Sequence, residues 1–174
     1  IEEVPEKLID ALIAQEDQRF FEHNGVDQVG VARAVWLNFK ARAVTQGAST
    51  ITMQLARNAF DLKSGARALG QTGIERKIVE AFLALRIERH LTRSLMAEYP
   101  DETKRKGRMK RVVLEYYLNR IPFGHGYYGV RSAALGYFGK EPMALTVEEC
   151  ASLVACVKNP TQISPLSNPE RNPK

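Results

Sequence analysis

The sequence predicts a mainly α-helical fold. Apolar residues recur at three- and four-residue spacing through most of the 174 residues, and few segments alternate with period two. Helix-start signals at Pro5, at Ser49 or Thr50, and at Thr146-Val147-Glu148-Glu149 precede those runs, and glycines or prolines close them. The composition, 44% hydrophobic and 26% charged, leaves enough apolar side chain for a real core and excludes disordered and fibrous classes.

The first helix is expected over 5–17. Pro5 suits a first helical position, and Leu8, Ile9, Leu12 and Ile13 form its apolar stripe. Glu16 falls four residues after Leu12 and three after Ile13, so it shares that stripe. Partial burial and the negative end of the helix dipole both raise a carboxyl pKa, which is the setting of a general acid or base. The segment reads equally as a helix end with solvated acids. The turn that follows carries Asp17, Phe20, His23 and Gly25.

From Val29 to Val44 the chain is apolar on nearly every side, which reads as a core helix in preference to a surface helix meeting an apolar partner such as a bilayer. After Gln46 and Gly47, Ser49 or Thr50 caps a new helix. Thr50, Gln54 and Arg57 share its polar stripe with Asn58 beside them, while Ile51 and Leu55 face inward. Residues 61–73 contain Gly65, Gly70 and Gly73 and read as a mobile loop carrying Arg67. A long helix is expected from about Ile74 to Leu91, its core stripe being Ile78, Val79, Phe82, Leu83, Leu85 and Ile87. Arg76, Lys77 and Glu80 share another face of it, as a surface ion pair would.

Residues 92–108 turn strongly charged and read as an exposed excursion, with a helix from about Met109 to Asn119 after it. Gly124-His125-Gly126-Tyr127-Tyr128-Gly129 matches a dinucleotide-binding pattern by letter only. It follows a helix, no βαβ pattern surrounds it, and a glycine-rich turn feeding the helix Val130–Tyr137 suffices. The capping box at Thr146 opens a last helix to about Val157, which Pro160 stops.

A net charge of +5 and a pI near 9.3 point to an anionic partner. Cys150 and Cys156, six apart on one helix, stand about 9 Å apart by helical rise, too far for a disulfide. No apolar run reaches the roughly 20 residues of a membrane span. The chain opens on Ile1 and ends in a tail holding Pro165, Pro169 and Pro173, so it reads as a piece cut from a longer protein. No spacing suggests a zinc site, a P-loop or a serine triad.

Five ordered motifs resemble the peptidoglycan glycosyltransferase domain, glycosyltransferase family 51, found in bifunctional penicillin-binding proteins and monofunctional transglycosylases. The first, E-D-x-x-F-x-x-H-x-G, is matched by Glu16, Asp17, Phe20, His23 and Gly25. The second is matched by Gly47, Ser49, Thr50, Ile51, Thr52, Gln54 and Asn58, with Ala48 and Met53 in place of a glycine and a glutamine and Arg57 in place of lysine. The third, R-K-x-x-E, is Arg76, Lys77 and Glu80. The fourth runs from Glu115 to Lys140, and the fifth includes Leu145-Thr146, Glu149 and Pro160.

The resemblance implies a single domain over 1–174 with a lysozyme-like helical lobe and a small membrane-contacting jaw, to which about 26–48 contributes. It implies polymerisation of lipid II into β-1,4 glycan strands, with inversion and release of undecaprenyl pyrophosphate. Glu16 would be the catalytic base, and Glu80 would assist the leaving group or orient the basic residues. Asp17, Phe20, His23, Ser49, Thr50, Gln54, Arg57, Asn58, Arg76 and Lys77 would shape and line the substrate subsites. No metal site is implied; the family pattern leaves room for a divalent cation, Mg or Mn, without requiring one.

The implied partners are lipid II, the growing glycan strand, a membrane surface and other cell-wall synthesis proteins, with no nucleic acid. The implied location is the extracytoplasmic face of a bacterial membrane, with an anchor outside this chain, and the phosphoglycolipid moenomycin would be the inhibitor. Two rival readings remain. A lysozyme-like hydrolase or lytic transglycosylase also uses a helix-end glutamate, but has no need of Ser49, Arg57, Arg76 and Lys77 gathered for a pyrophosphate. A non-catalytic basic module binding membrane or nucleic acid is the other, and the basic run 104–111 lacks the interleaved aromatics that nucleic acid favours.

Overall fold

A computed structural model describes residues 1–43, 47–70, 72–160 and 163–166, and the regular structure among them is eight α-helices, one hairpin with a two-residue turn and one short 3₁₀ turn. In order these are α1 (Glu6–Glu16), α2 (Gln28–Ala41), α3 (Ile51–Ala59), α4 (Leu62–Ala68), α5 (Gly73–Ser94), α6 (Glu102–Leu118), β1 (Pro122–Gly124), β2 (Tyr127–Tyr128), α7 (Val130–Phe138) and α8 (Val147–Lys158), with a 3₁₀ turn at Pro142–Ala144. The mainly α expectation holds. Val44, Gln46, Pro169 and Pro173, which figured in the sequence reading, lie outside the described residues.

The described chain divides into two units, one of residues 1–18 and 114–174, the other of residues 19–113. In the first, α1 packs on α8, and its Leu8, Ile9 and Leu12 are buried, each worth about 1.5–3 kcal/mol against exposure. Pro5 stands one position earlier than expected, as the residue before the helix, and Asp17 closes α1 with its amide donated to the Ile13 carbonyl. Thr146 caps α8 as the sequence predicts. The Glu149 amide donates to the Thr146 hydroxyl and the Thr146 amide to the Glu149 carboxylate. Cys150 and Cys156 are both buried free thiols on that helix, and burial pushes the Cys150 thiol up.

The glycines of 124–129 build a β-hairpin. His125 and Gly126 form its two-residue turn with φ of 50° and 79°, the positive values that a type I′ turn demands. Gly136 on α7 faces this hairpin, and any Cβ there would run into the Tyr127 ring. The dinucleotide reading stays excluded, because β1 pairs antiparallel with β2 and no crossover helix intervenes.

In the second unit the expectations for 29–44, 61–73 and 92–108 fail. First, α2 is no core helix: only Ala34 is buried, while Trp36 and Phe39 are 65% and 78% exposed. A helix apolar on all sides has no polar stripe to select its outward face, and no helix among the described residues packs extensively against it. Second, 61–73 holds the helix α4, entered through Asp61 in a left-handed conformation, in place of an open loop. Third, the excursion at 92–108 is largely helix. α5 continues to Ser94, and α6 begins at Glu102, seven residues before Met109. The Asp101 carboxylate accepts from the Lys104 amide at that start, and the Lys, Arg and Glu after it are good helix formers.

Candidate active site

The long helix α5 is turned the other way from its predicted apolar stripe. Its buried residues are Glu80, Ala84 and Glu88, four apart, whereas Ile78, Val79, Phe82 and Leu85 are exposed and Leu83 and Ile87 half-buried. Burying two carboxylates is costly unless each is paired and hydrogen-bonded, and here both are. Ala84 between them is small, which lets the turn at Gly25 approach. A Cβ on Gly25 would stand 3.0 Å from the Ala84 carbonyl, and the Gly25 backbone sits at φ +83°.

Glu80 is fully buried at the centre of a basic cluster. Arg57, on α3, grips it with both arms of its fork. Nε donates to Oε1 and Nη2 to Oε2, each at 2.7 Å. Such a bidentate pair is the stronger kind of charge-assisted hydrogen bond. Arg76, one turn earlier on α5, brings its Nε to 3.1 Å from Oε1 as an ion pair, off the line needed for a hydrogen bond. Arg57 Nη2 also reaches the Ser49 hydroxyl at 3.5 Å. Motif residues 49, 57, 76 and 80, separated in sequence by up to 31 positions, therefore meet in one place. The surface ion pair that their spacing alone suggested is a buried one.

Thr50 supports this cluster from the start of α3. Its hydroxyl accepts from the Met53 amide at 3.2 Å and donates to the Gly25 carbonyl at 2.6 Å, tying the first motif's turn to the second motif's helix. Gln54 and Asn58 lie half-buried on α3, one turn before Arg57 and directly after it. Lys77 is exposed and forms no ion pair with the described residues, so the structure does not bring it to Glu80.

Within the turn, Phe20 is fully buried and meets the Phe21 and His23 rings edge-on. His23 is itself buried, which suits an organiser of the turn. Arg19 bridges Glu22 at 2.7 Å and Asp27 at 3.2 Å across it. Below lies a network of which the motifs named Thr52 and Phe20 but neither charged member. Glu88 accepts the Thr52 hydroxyl at 2.6 Å and the Lys110 ammonium at 2.7 Å, and that ammonium sits 4.5 Å from the centre of the Phe20 ring. Its one sequence signal is the four-residue repeat Arg76, Glu80, Ala84, Glu88.

In the other unit, Glu16 is the last residue of α1 and half-buried. Gln15 donates through Nε2 to Glu16 Oε1 at 2.9 Å and to the Val154 carbonyl at 2.9 Å, which fixes the end of α1 to α8. Asp17, next to it, is buried at the helix C-cap. Among the described residues no three His, Cys, Asp or Glu side chains converge as metal ligands. No helix of the described residues is long and apolar enough to cross a membrane.

The chain is similar to penicillin-binding protein 1A of Aquifex aeolicus, 39% identical over 171 residues that cover 98% of this chain and 20% of the relative. Penicillin-binding protein 1A of Escherichia coli is 42% identical over 98% of this chain and 17% of its own length. A putative transglycosylase of Cupriavidus necator is 39% identical over 98% of this chain and 63% of its own. The chain thus spans about a fifth of the length of the penicillin-binding relatives. The transglycosylase family model matches residues 1–174, and the chain belongs to that family as a peptidoglycan glycosyltransferase domain.

Proposed function

We propose that this domain polymerises lipid II. The 4-hydroxyl of an acceptor N-acetylglucosamine attacks the anomeric carbon of the donor's N-acetylmuramic acid. The bond to undecaprenyl pyrophosphate breaks as the new one forms on the opposite face, so configuration inverts. Glu16 takes the hydroxyl proton, and fixed cations stabilise the charge growing on the pyrophosphate. Arg57 and Arg76 supply those cations, with Lys77, Ser49 and Gln54 completing the subsites; Asp17, Phe20 and His23 hold the turn beyond Glu16.

The observation that carries the reading is the Ser49–Arg57–Arg76–Glu80 cluster, in which two guanidiniums share one buried carboxylate and leave a net positive charge. Both oxygens of Glu80 are engaged. That favours its role as a positioning residue that aims the two arginines over a role as acid to the leaving group. The apolar α2, exposed through Val29, Val35, Trp36 and Phe39, supports a membrane-contacting jaw, with a lysozyme-like lobe around Glu16.

Labelled lipid II separates this reading from its rivals. The chain is expected to convert it into long glycan strands with release of undecaprenyl pyrophosphate. Release of muropeptides from isolated wall, without polymer, would establish a lytic enzyme instead.

A further inference from the structure

The start of α6 belongs to none of the five motifs, yet it reaches the turn of the first. Its inward stripe is Lys106, Met109, Lys110 and Val113, at the three- and four-residue spacing of one helix face. The last three are buried and Lys106 is half-buried. This end of the helix is fixed at its entry. The Asp101 carboxylate accepts the Lys104 amide at 2.8 Å, and Arg105 Nη1 donates to the Tyr99 and Pro100 carbonyls at 2.9 and 3.0 Å.

From that fixed turn the Lys106 ammonium donates to the Glu22 carbonyl at 2.7 Å, across 84 positions of sequence. Glu22 is the residue that closes the first-motif turn, its amide donated to the Arg19 carbonyl at 2.8 Å. One helical turn after Lys106, the Lys110 ammonium covers the Phe20 ring at 4.5 Å. The far end of the same turn is tied elsewhere. Gly25 lies against the Ala84 backbone, and its carbonyl accepts the Thr50 hydroxyl at 2.6 Å. Thr50 opens α3, and the Ser49 hydroxyl before it meets Arg57 at 3.5 Å. A continuous path therefore runs from Lys106 through the turn to Thr50 and the arginine cluster, and every link lies in the unit 19–113. A charge-assisted bond to a turn carbonyl is stronger than a neutral one, so cutting it at α6 loosens the path at its origin.

We propose that Lys106 is a positioning residue for the Ser49–Arg57–Glu80 cluster, holding the first-motif turn and, through Gly25 and Thr50, the start of α3. Its kinetic consequence rests on the reaction proposed above, whereas the restraint itself does not.

Lys106→Met keeps a long stem and removes the donor. Amide hydrogen exchange of segments 19–25 and 50–54 is expected to speed up about fivefold, the loss of one such hydrogen bond. At a temperature where circular dichroism shows every variant folded, kcat on labelled lipid II is expected to fall by about the same factor with KM little changed. Lys106→Arg restores a cationic donor and is expected to recover most of both. Lys104→Met removes the same charge from an exposed position on α6 and is expected to change neither. Unchanged exchange in Lys106→Met, or equal acceleration in Lys104→Met, would overturn the restraint. Acceleration confined to 19–25, wild-type kcat in Lys106→Met, or no recovery in Lys106→Arg would overturn the positioning role. A wild-type chain that makes no polymer would refute the proposed function, and exchange at 50–54 would still decide whether Lys106 holds α3.

Discussion

Lys110→Met tests whether a buried ion pair turns α5 inside out. Lys110 is 0% exposed and Glu88 2%, their charged atoms are 2.7 Å apart, and the ammonium also covers the Phe20 ring at 4.5 Å. Glu88 Oε2 has no hydrogen-bond partner among the described residues, so without Lys110 the carboxylate would keep the Thr52 hydroxyl alone. Breaking a buried pair from one side costs about 3–5 kcal/mol, because it strands the remaining charge. That is a large share of the roughly 5–15 kcal/mol that separates folded from unfolded chains.

Removing both charges, as in Glu88→Gln/Lys110→Met, leaves no ionised Glu88 behind and keeps an acceptor for Thr52. The double variant is expected within about 1–2 kcal/mol of wild type. Urea denaturation of wild type, both single variants and the double gives the coupling directly. A Lys110→Met loss below about 1 kcal/mol, or a double variant equal to the sum of the singles, would refute the reasoning.

Three further outcomes follow from the same geometry. Gly25→Ala forces an L side chain to φ +83° and sets its Cβ 3.0 Å from the Ala84 carbonyl, so a loss above about 1–2 kcal/mol is expected in thermal unfolding; a neutral variant would mean the turn does not pack on α5. The Glu149 carboxyl is held below its ordinary value first by the Lys140 ammonium and then by the Thr146 amide. Its stabilisation is therefore full above the unfolded value and lost as pH falls through the lowered folded one, so the stability gap between wild type and Glu149→Gln should shrink as pH falls below the ordinary glutamate value of about 4.3. If the Arg57 cluster is the proposed phosphate subsite, Arg57→Ala is expected to weaken moenomycin binding about tenfold or more, and unchanged affinity in calorimetry would show that subsite to be misplaced.

Local signals were legible in the sequence and non-local ones were not. Thr146 and Glu149 cap α8 as read, because a capping box is complete within four residues. The same signature at Thr72 and Glu75 opens α5, but its setting among glycines hid it. The fate of α5 could not be read from its own periodicity. Ile78, Phe82 and Leu85 look like a core stripe, yet the cations that draw Glu80 and Glu88 inward come from Arg57 on α3 and Lys110 on α6. The charged run 102–108 looks like an excursion by its charges but is helix by its propensity; Asp101 caps it and Lys106 donates to the Glu22 carbonyl. In the candidate site, the second and third motifs supply Ser49, Arg57, Arg76 and Glu80, which meet, and Lys77, which does not reach Glu80; Thr52 belongs to the second motif, but its partner Glu88 and the Lys110 beyond it lie outside every motif.

The central claim is that Glu16 removes the acceptor proton while the cationic cluster holds the lipid pyrophosphate independently of it. Glu16→Gln keeps the size of the side chain and the Gln15 contact at its oxygen while removing the base. Polymerisation of labelled lipid II by this variant, measured beside its lipid II affinity, is expected to be abolished with binding largely kept. Polymerisation near the wild-type rate would contradict the account.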